Sequence, residues 1–154
     1  MKITLDTNVL VSAFISKQGQ PAALLDIILT FTEIELVLSD PILAEFKDVL
    51  SRPEVKERFE YSKREIGEFV NAIRSVSTIV ELKSDFRVVV DDPKDDVIIN
   101  TAYDGKVDFI VSGDTQLLKL KGFRGIRIVK PRAMLDIIRR RFGEFVISGW
   151  ELEL

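Results

Sequence analysis

The sequence predicts an α/β fold built on a parallel sheet. Three observations carry that prediction. Short apolar runs of strand length alternate with longer stripes in which apolar residues recur every three or four positions, prolines stand where the stripes begin, and 154 residues with 46% hydrophobic content can fill one continuous core. Strands separated by helical stretches pair in parallel, because each crossover returns the chain to the same end of the sheet. One domain is therefore expected over residues 1–141, followed by a tail at 142–154.

In chain order, strands are expected at residues 2–5, 35–38, 78–82, 108–111 and 126–129, and helices at 22–31, 42–50, 63–76, 97–103 and 133–140. Proline supports three of the helix starts, since its fixed φ and missing N–H are tolerated in a first turn. Asp40-Pro41 and Asp92-Pro93 each offer an aspartate as N-cap, and Pro131 opens the last helix. Residues 51–62 read as a helical connection, too polar and too short to be a domain. In the tail, Trp150, Leu152 and Leu154 alternate as in a terminal strand or docking segment. No apolar run approaches the roughly 20 residues that span a bilayer. Met1-Lys2-Ile3 lacks a secretory signal's basic start and cleavage site, so a cytoplasmic protein without a membrane partner is expected.

The absent residue types restrict the chemistry. The chain has no His and no Cys. A Ser-His-Asp triad, a Cys-His pair, an imidazole base and a thiolate nucleophile are all excluded. Zinc loses its usual nitrogen and sulfur ligands. Oxygen donors remain, and these suit Mg²⁺ or Mn²⁺. The formal charge of −3 is unevenly spread: residues 115–141 hold nine Lys or Arg and one acid, Asp136, while the rest holds 13 basic and 24 acidic residues. This basic third is either a solvated surface or a patch for phosphates.

Four acids merit attention by position. Open parallel sheets put ligand sites beyond the carboxyl ends of their strands. Asp6 ends the first strand, and Asp114 follows the strand at Phe109-Ile110-Val111 through Ser112-Gly113, so both fall at that edge. Each also suits the capping of a following helix. Glu45 lies beside Ile42 and Val49 at the margin of an apolar helix stripe, whereas Asp48 turns away. In Asp91-Asp92-Pro93-Lys94-Asp95-Asp96, Asp95 shares the face of Ile98, Ile99 and Ala102. Asp96 is rotated by about 100° and is the fallback, Asp92 is the expected cap, and both are expected to support the site. Carboxylates gathered this closely disfavour one another's ionisation, and a cation relieves that.

These residues resemble the PIN-domain nucleases, and within them the VapC-like toxins of toxin-antitoxin pairs. The resemblance rests on Leu5-Asp6-Thr7-Asn8-Val9-Leu10, on Glu45 in the helix after the second strand, on Asp92-Pro93-Lys94-Asp95-Asp96 before a helix, and on Val111-Ser112-Gly113-Asp114. It implies a three-layer α/β/α sandwich with a central parallel sheet, and cleavage of RNA that depends on Mg²⁺ or Mn²⁺. Asp6, Glu45, Asp95 and Asp114 then stand as the acidic ligands, with Asn8 and Ser112 as polar residues that orient ligands or water. Ser112 replaces the Thr of many relatives and retains the hydroxyl. The resemblance further implies a homodimer and a small antitoxin partner. The tail after Arg141 has no counterpart in it.

The expected mechanism is in-line hydrolysis of a phosphodiester by one or two cations held by Asp6, Asp95 and Asp114, with Glu45 bound directly or through water. Lys119, Arg124 and Lys130 are the residues expected to hold the RNA backbone. Two rival readings are a receiver-type phospho-accepting domain, with Ser112 and Lys130 as its hydroxyl and lysine, and a non-catalytic PIN scaffold that binds RNA or protein.

Overall fold

A computed structural model describes residues 1–89 and 91–143. The expected tail strand or docking segment lies outside the described residues. Strands β1 (Lys2–Leu5), β2 (Glu35–Leu38), β3 (Thr78–Ile79), β4 (Phe109–Val111), β5 (Gly122–Phe123) and β6 (Ile126–Val129) form one sheet in the order β3-β2-β1-β4-β6-β5. All pairs are parallel except β5 with β6. From β1 the chain steps outward through β2 to β3, then returns across the sheet to β4. Right-handed crossovers therefore put the helices on both faces, which gives the α/β/α layering. The order reverses between β1 and β4, so a crevice opens there at the carboxyl ends of the strands. In the middle of the sheet both strand faces are covered: Ile3, Leu5, Leu36, Leu38, Ile110 and Val111 are all buried.

The helices are α1 (Thr7–Ile15), α2 (Gln20–Thr30), α3 (Asp40–Ser51), α4 (Pro53–Arg58), α5 (Lys63–Val76), α6 (Pro93–Asp104), α7 (Thr115–Leu120) and α8 (Pro131–Phe142). The sequence locates α5 to the residue. It has an apolar stripe, Ile66, Val70 and Ile73, and a Ser62/Glu65 capping box at its start. Helix α1 was not expected, because Val9-Leu10-Val11 and Ala13-Phe14-Ile15 are too uniformly apolar to show a helical phase. At six residues α7 is too short for periodicity, and β5 has only two residues. The domain boundary expected at residue 141 falls inside α8, which continues to Phe142.

The strand expected at 78–82 pairs only through Ile79, after which the Val80 N–H still reaches the Leu38 carbonyl (2.9 Å). The chain then runs extended along α6. Three side chains spaced one helical step of four apart receive its backbone. Asp104 accepts the Lys83 and Ser84 N–H groups (2.8 and 3.0 Å), Asn100 that of Phe86 (2.7 Å), and Asp96 those of Val88 and Val89 (both 2.8 Å). The spacing follows from geometry: two extended residues advance about 6.6 Å and four helical residues about 6 Å. Phe86 anchors this strap against Tyr103 and Phe123, with the Arg124 guanidinium 4.8 Å from the centre of the Phe86 ring. The strap leads into Asp92 and so sets the position of the head of α6.

Candidate metal centre

Three helices begin at the crevice, and each is capped by an aspartate. Asp6 follows β1 and accepts the Thr7 N–H (2.7 Å), Asp92 accepts that of Lys94 (3.0 Å), and Asp114 accepts that of Gln116 (2.7 Å). Capping and metal binding are often posed as alternatives, but a carboxylate has two oxygens. The cap uses one of them and leaves the other for a further partner, and the positive ends of the three helix dipoles offset part of the carboxylates' mutual repulsion.

Asp6 is the most tightly held. Its Oδ2 accepts the Ser112 hydroxyl (2.6 Å) and the Asn8 amide (2.9 Å), its Oδ1 is the one that caps α1, and the residue is 4% exposed. Asn8 Oδ1 in turn accepts the Gly113 N–H (3.0 Å), and Ser112 Oγ accepts that of Asp114 (2.9 Å). These bonds join the end of β1 to the end of β4, two segments about a hundred residues apart in sequence. Asn8 and Ser112 thus both bond to Asp6. Burial pushes the Asp6 carboxyl up to about 6, against the lowering by the Ser112 hydroxyl and Thr7 amide, and the charges of Asp114 and Glu45 add to the rise.

The tightest grouping is Asp92, Asp95 and Asp114, each with a carboxylate oxygen within 4.8 Å of the others. Asp95 is 5% exposed, and its Oδ2 has no hydrogen-bond partner among the described residues. Burial pushes it up to about 7, with the charges of Asp114, Asp92 and Asp6 contributing. A buried, unpartnered carboxylate oxygen facing two other carboxylates is costly alone and fits a hard cation with oxygen ligands. The sequence placed Asp92 as cap and supporting residue and Asp6 as ligand. In the structure Asp92 joins the close group, while both oxygens of Asp6 are engaged beside it. Helix phase turns Asp95 toward the other carboxylates and Asp96 toward the strap, where it accepts the Val88 and Val89 amides.

Glu45 reaches the same cleft, of about 290 Å³, which is lined by Asp6, Asn8, Glu45, Asp92, Lys94, Asp95 and Asp114 among others. Its Oε2 accepts the Thr7 hydroxyl (3.0 Å) and its Oε1 lies 3.5 Å from the Lys94 ammonium. Neither contact was foreseen, because nothing in the sequence ties α3 to the heads of α1 and α6. Among the proposed RNA-backbone residues, Lys130 follows β6 at the site's edge of the sheet and Lys119 is exposed on α7. Arg124 precedes β6, at the opposite edge, and stacks on Phe86 and Phe123.

Residues 2–116 match the PIN domain family. An uncharacterised protein of Methanocaldococcus jannaschii is 32% identical over 121 residues, 79% of this chain and 76% of that one. Among solved structures, a chain of VapBC2 from Rickettsia felis, bound to a DNA fragment from their promoter, is similar with a TM-score of 0.56 at 14% identity, covering 83% of this chain and 97% of that chain. The family match runs from the first strand into the first turn of α7 and takes in every acid of the cleft. The chain belongs to the PIN-domain family.

Proposed function

We propose that the chain is an endoribonuclease dependent on Mg²⁺ or Mn²⁺, and the toxin of a toxin-antitoxin pair. The observation that carries the metal part is the buried, unpartnered Oδ2 of Asp95 within the Asp92, Asp95 and Asp114 group. Those three residues would hold the cation, and Asp6, fixed by Ser112 and Asn8, would align an attacking water. Glu45 would act directly or through a water. When bound, the cation supplies Lewis acidity and an activated water, which is what a site without histidine lacks. Lys119 and Lys130 would contact the RNA backbone, and Arg124 is left out of that role.

Family membership supports nuclease chemistry, and the fold shared with the VapBC2 chain supports the toxin reading, with a small antitoxin and a homodimer as its partners. A receiver-type domain has the strand order 2-1-3-4-5, with β3 beside β1. Here β3 extends the sheet beyond β2 and β5 runs antiparallel at the other edge, an order that departs from the receiver's.

The test is cleavage of a long RNA by purified protein with Mn²⁺. EDTA, Asp95→Asn and Asp6→Asn should each abolish it. Cleavage that persists without metal would overturn the mechanism. Light scattering of the protein, alone and co-expressed with the product of an adjacent small gene, checks the dimer and the antitoxin.

A further inference from the structure

Among the described residues, Lys94 is the single cation lining the cleft, which otherwise presents Asp6, Glu45, Asp92, Asp95 and Asp114. Local stability does not account for it. It occupies the first turn of α6, where the helix dipole disfavours a positive charge. Its side chain is 60% exposed, so packing of its stem returns little, and its ion pair with Glu45 at 3.5 Å is a partly exposed one of small value. Its backbone is nonetheless fixed to the site, since its own N–H is the one that Asp92 accepts as N-cap (3.0 Å). Any phosphate brought against the Asp92, Asp95 and Asp114 group therefore arrives beside this ammonium. Five carboxylates repel a phosphodiester, and one flexible point charge with three donors is suited to meeting it.

We propose that Lys94 binds a non-bridging oxygen of the substrate phosphodiester, and that Glu45 holds its ammonium in the cleft until the phosphate takes it over. The proposal rests on the nuclease reading and names a substrate-binding residue for it.

The test compares wild type, Lys94→Gln and Lys94→Arg in steady-state cleavage of a single-stranded RNA oligonucleotide at saturating Mn²⁺. A salt series and Mn²⁺ calorimetry without RNA accompany it. Lys94→Gln should raise KM about tenfold, as expected for one lost charge-assisted hydrogen bond, with kcat nearly unchanged. It should also reduce the logarithmic salt dependence of binding by about 0.7, the value for one phosphate contact on a single strand. Mn²⁺ affinity should stay equal or tighten, and Lys94→Arg should restore most of KM. An unchanged KM in Lys94→Gln, a failure of Lys94→Arg to rescue, or weakened Mn²⁺ binding, which would mark Lys94 as a support for the metal ligands, would each overturn the proposal. If wild type binds Mn²⁺ but leaves RNA intact, the nuclease reading falls and this one with it. An active wild type with an unaffected Lys94→Gln removes Lys94 alone.

Discussion

Asp95 combines burial, an orphaned oxygen and three neighbouring acids, and its consequences can be measured without RNA. In the folded, metal-free chain Asp95 and Asp6 titrate near 7 and 6, above their ordinary values near 4. Between those limits the folded state binds more protons than the unfolded state, so stability is greatest at the acid end of this window and falls as pH rises through it. Metal-free protein should therefore melt at a higher temperature at pH 5 than at pH 8, and Mn²⁺ should abolish the difference. Asp95→Asn should raise the metal-free melting temperature at pH 8 by on the order of 5 °C, the equivalent of ~1–2 kcal/mol of relieved repulsion and desolvation. It should also remove the stabilisation by Mn²⁺ in scanning calorimetry. A drop in stability instead would mean that Asp95 is held by bonds the metal does not replace. Ser112 tests the alignment of Asp6. Ser112→Ala deletes the 2.6 Å bond to Asp6 and the acceptor for the Asp114 amide. It should weaken Mn²⁺ affinity or cleavage by roughly 10–100-fold, with Ser112→Thr largely intact.

Two elements determine where the head of α6 sits. The strap at 83–89 is held by side chains of the helix, and Asn100 is its central tie, bonded to both the N–H and the carbonyl of Phe86 and to the Ser84 hydroxyl. Asn100→Ala should cost about 2–3 kcal/mol, because it leaves strap amides unpaired, and should speed hydrogen exchange at Phe86 more than at Asp104-bonded Ser84. At the other end of α6, Gly105 lets the chain pass close to β2. A Cβ built there would lie 2.4 Å from Val37 Cγ1 and 3.1 Å from the Thr101 carbonyl oxygen. Gly105→Ala should therefore destabilise by about 1–3 kcal/mol in chemical denaturation, the usual range for overpacking. The sequence displayed α5 fully, since its stripe and capping box are local. It did not display the strap at 83–89, because the side chains that receive its backbone lie on α6, further along the chain.

At the scale of the whole molecule, the sheet order explains why the acids converge. Asp6, Asp92, Asp95 and Asp114 are spread over more than a hundred residues, and the reversal between β1 and β4 brings them to one crevice. If they form a metal site, Mn²⁺ binds the folded chain alone and stabilises it by mass action, about 2.7 kcal/mol at a hundredfold excess over Kd. A melting temperature that is insensitive to Mn²⁺ from micromolar to millimolar would speak against the site.

By itself the sequence determined the α/β class, the restriction to a hard cation that follows from having no His or Cys, and the helix phase that parts Asp95 from Asp96. Each of these depends on composition or on the phase of one helix, which are local properties. Only the tertiary structure decided that Asp92 joins the close carboxylate group while Asp6 is fixed beside it, that Asp96 serves the strap, that Arg124 stacks on Phe86 at the opposite edge, and that Lys94 faces Glu45. Those outcomes depend on which strands become neighbours and where each side chain then finds its partner, and local periodicity carries no information about either.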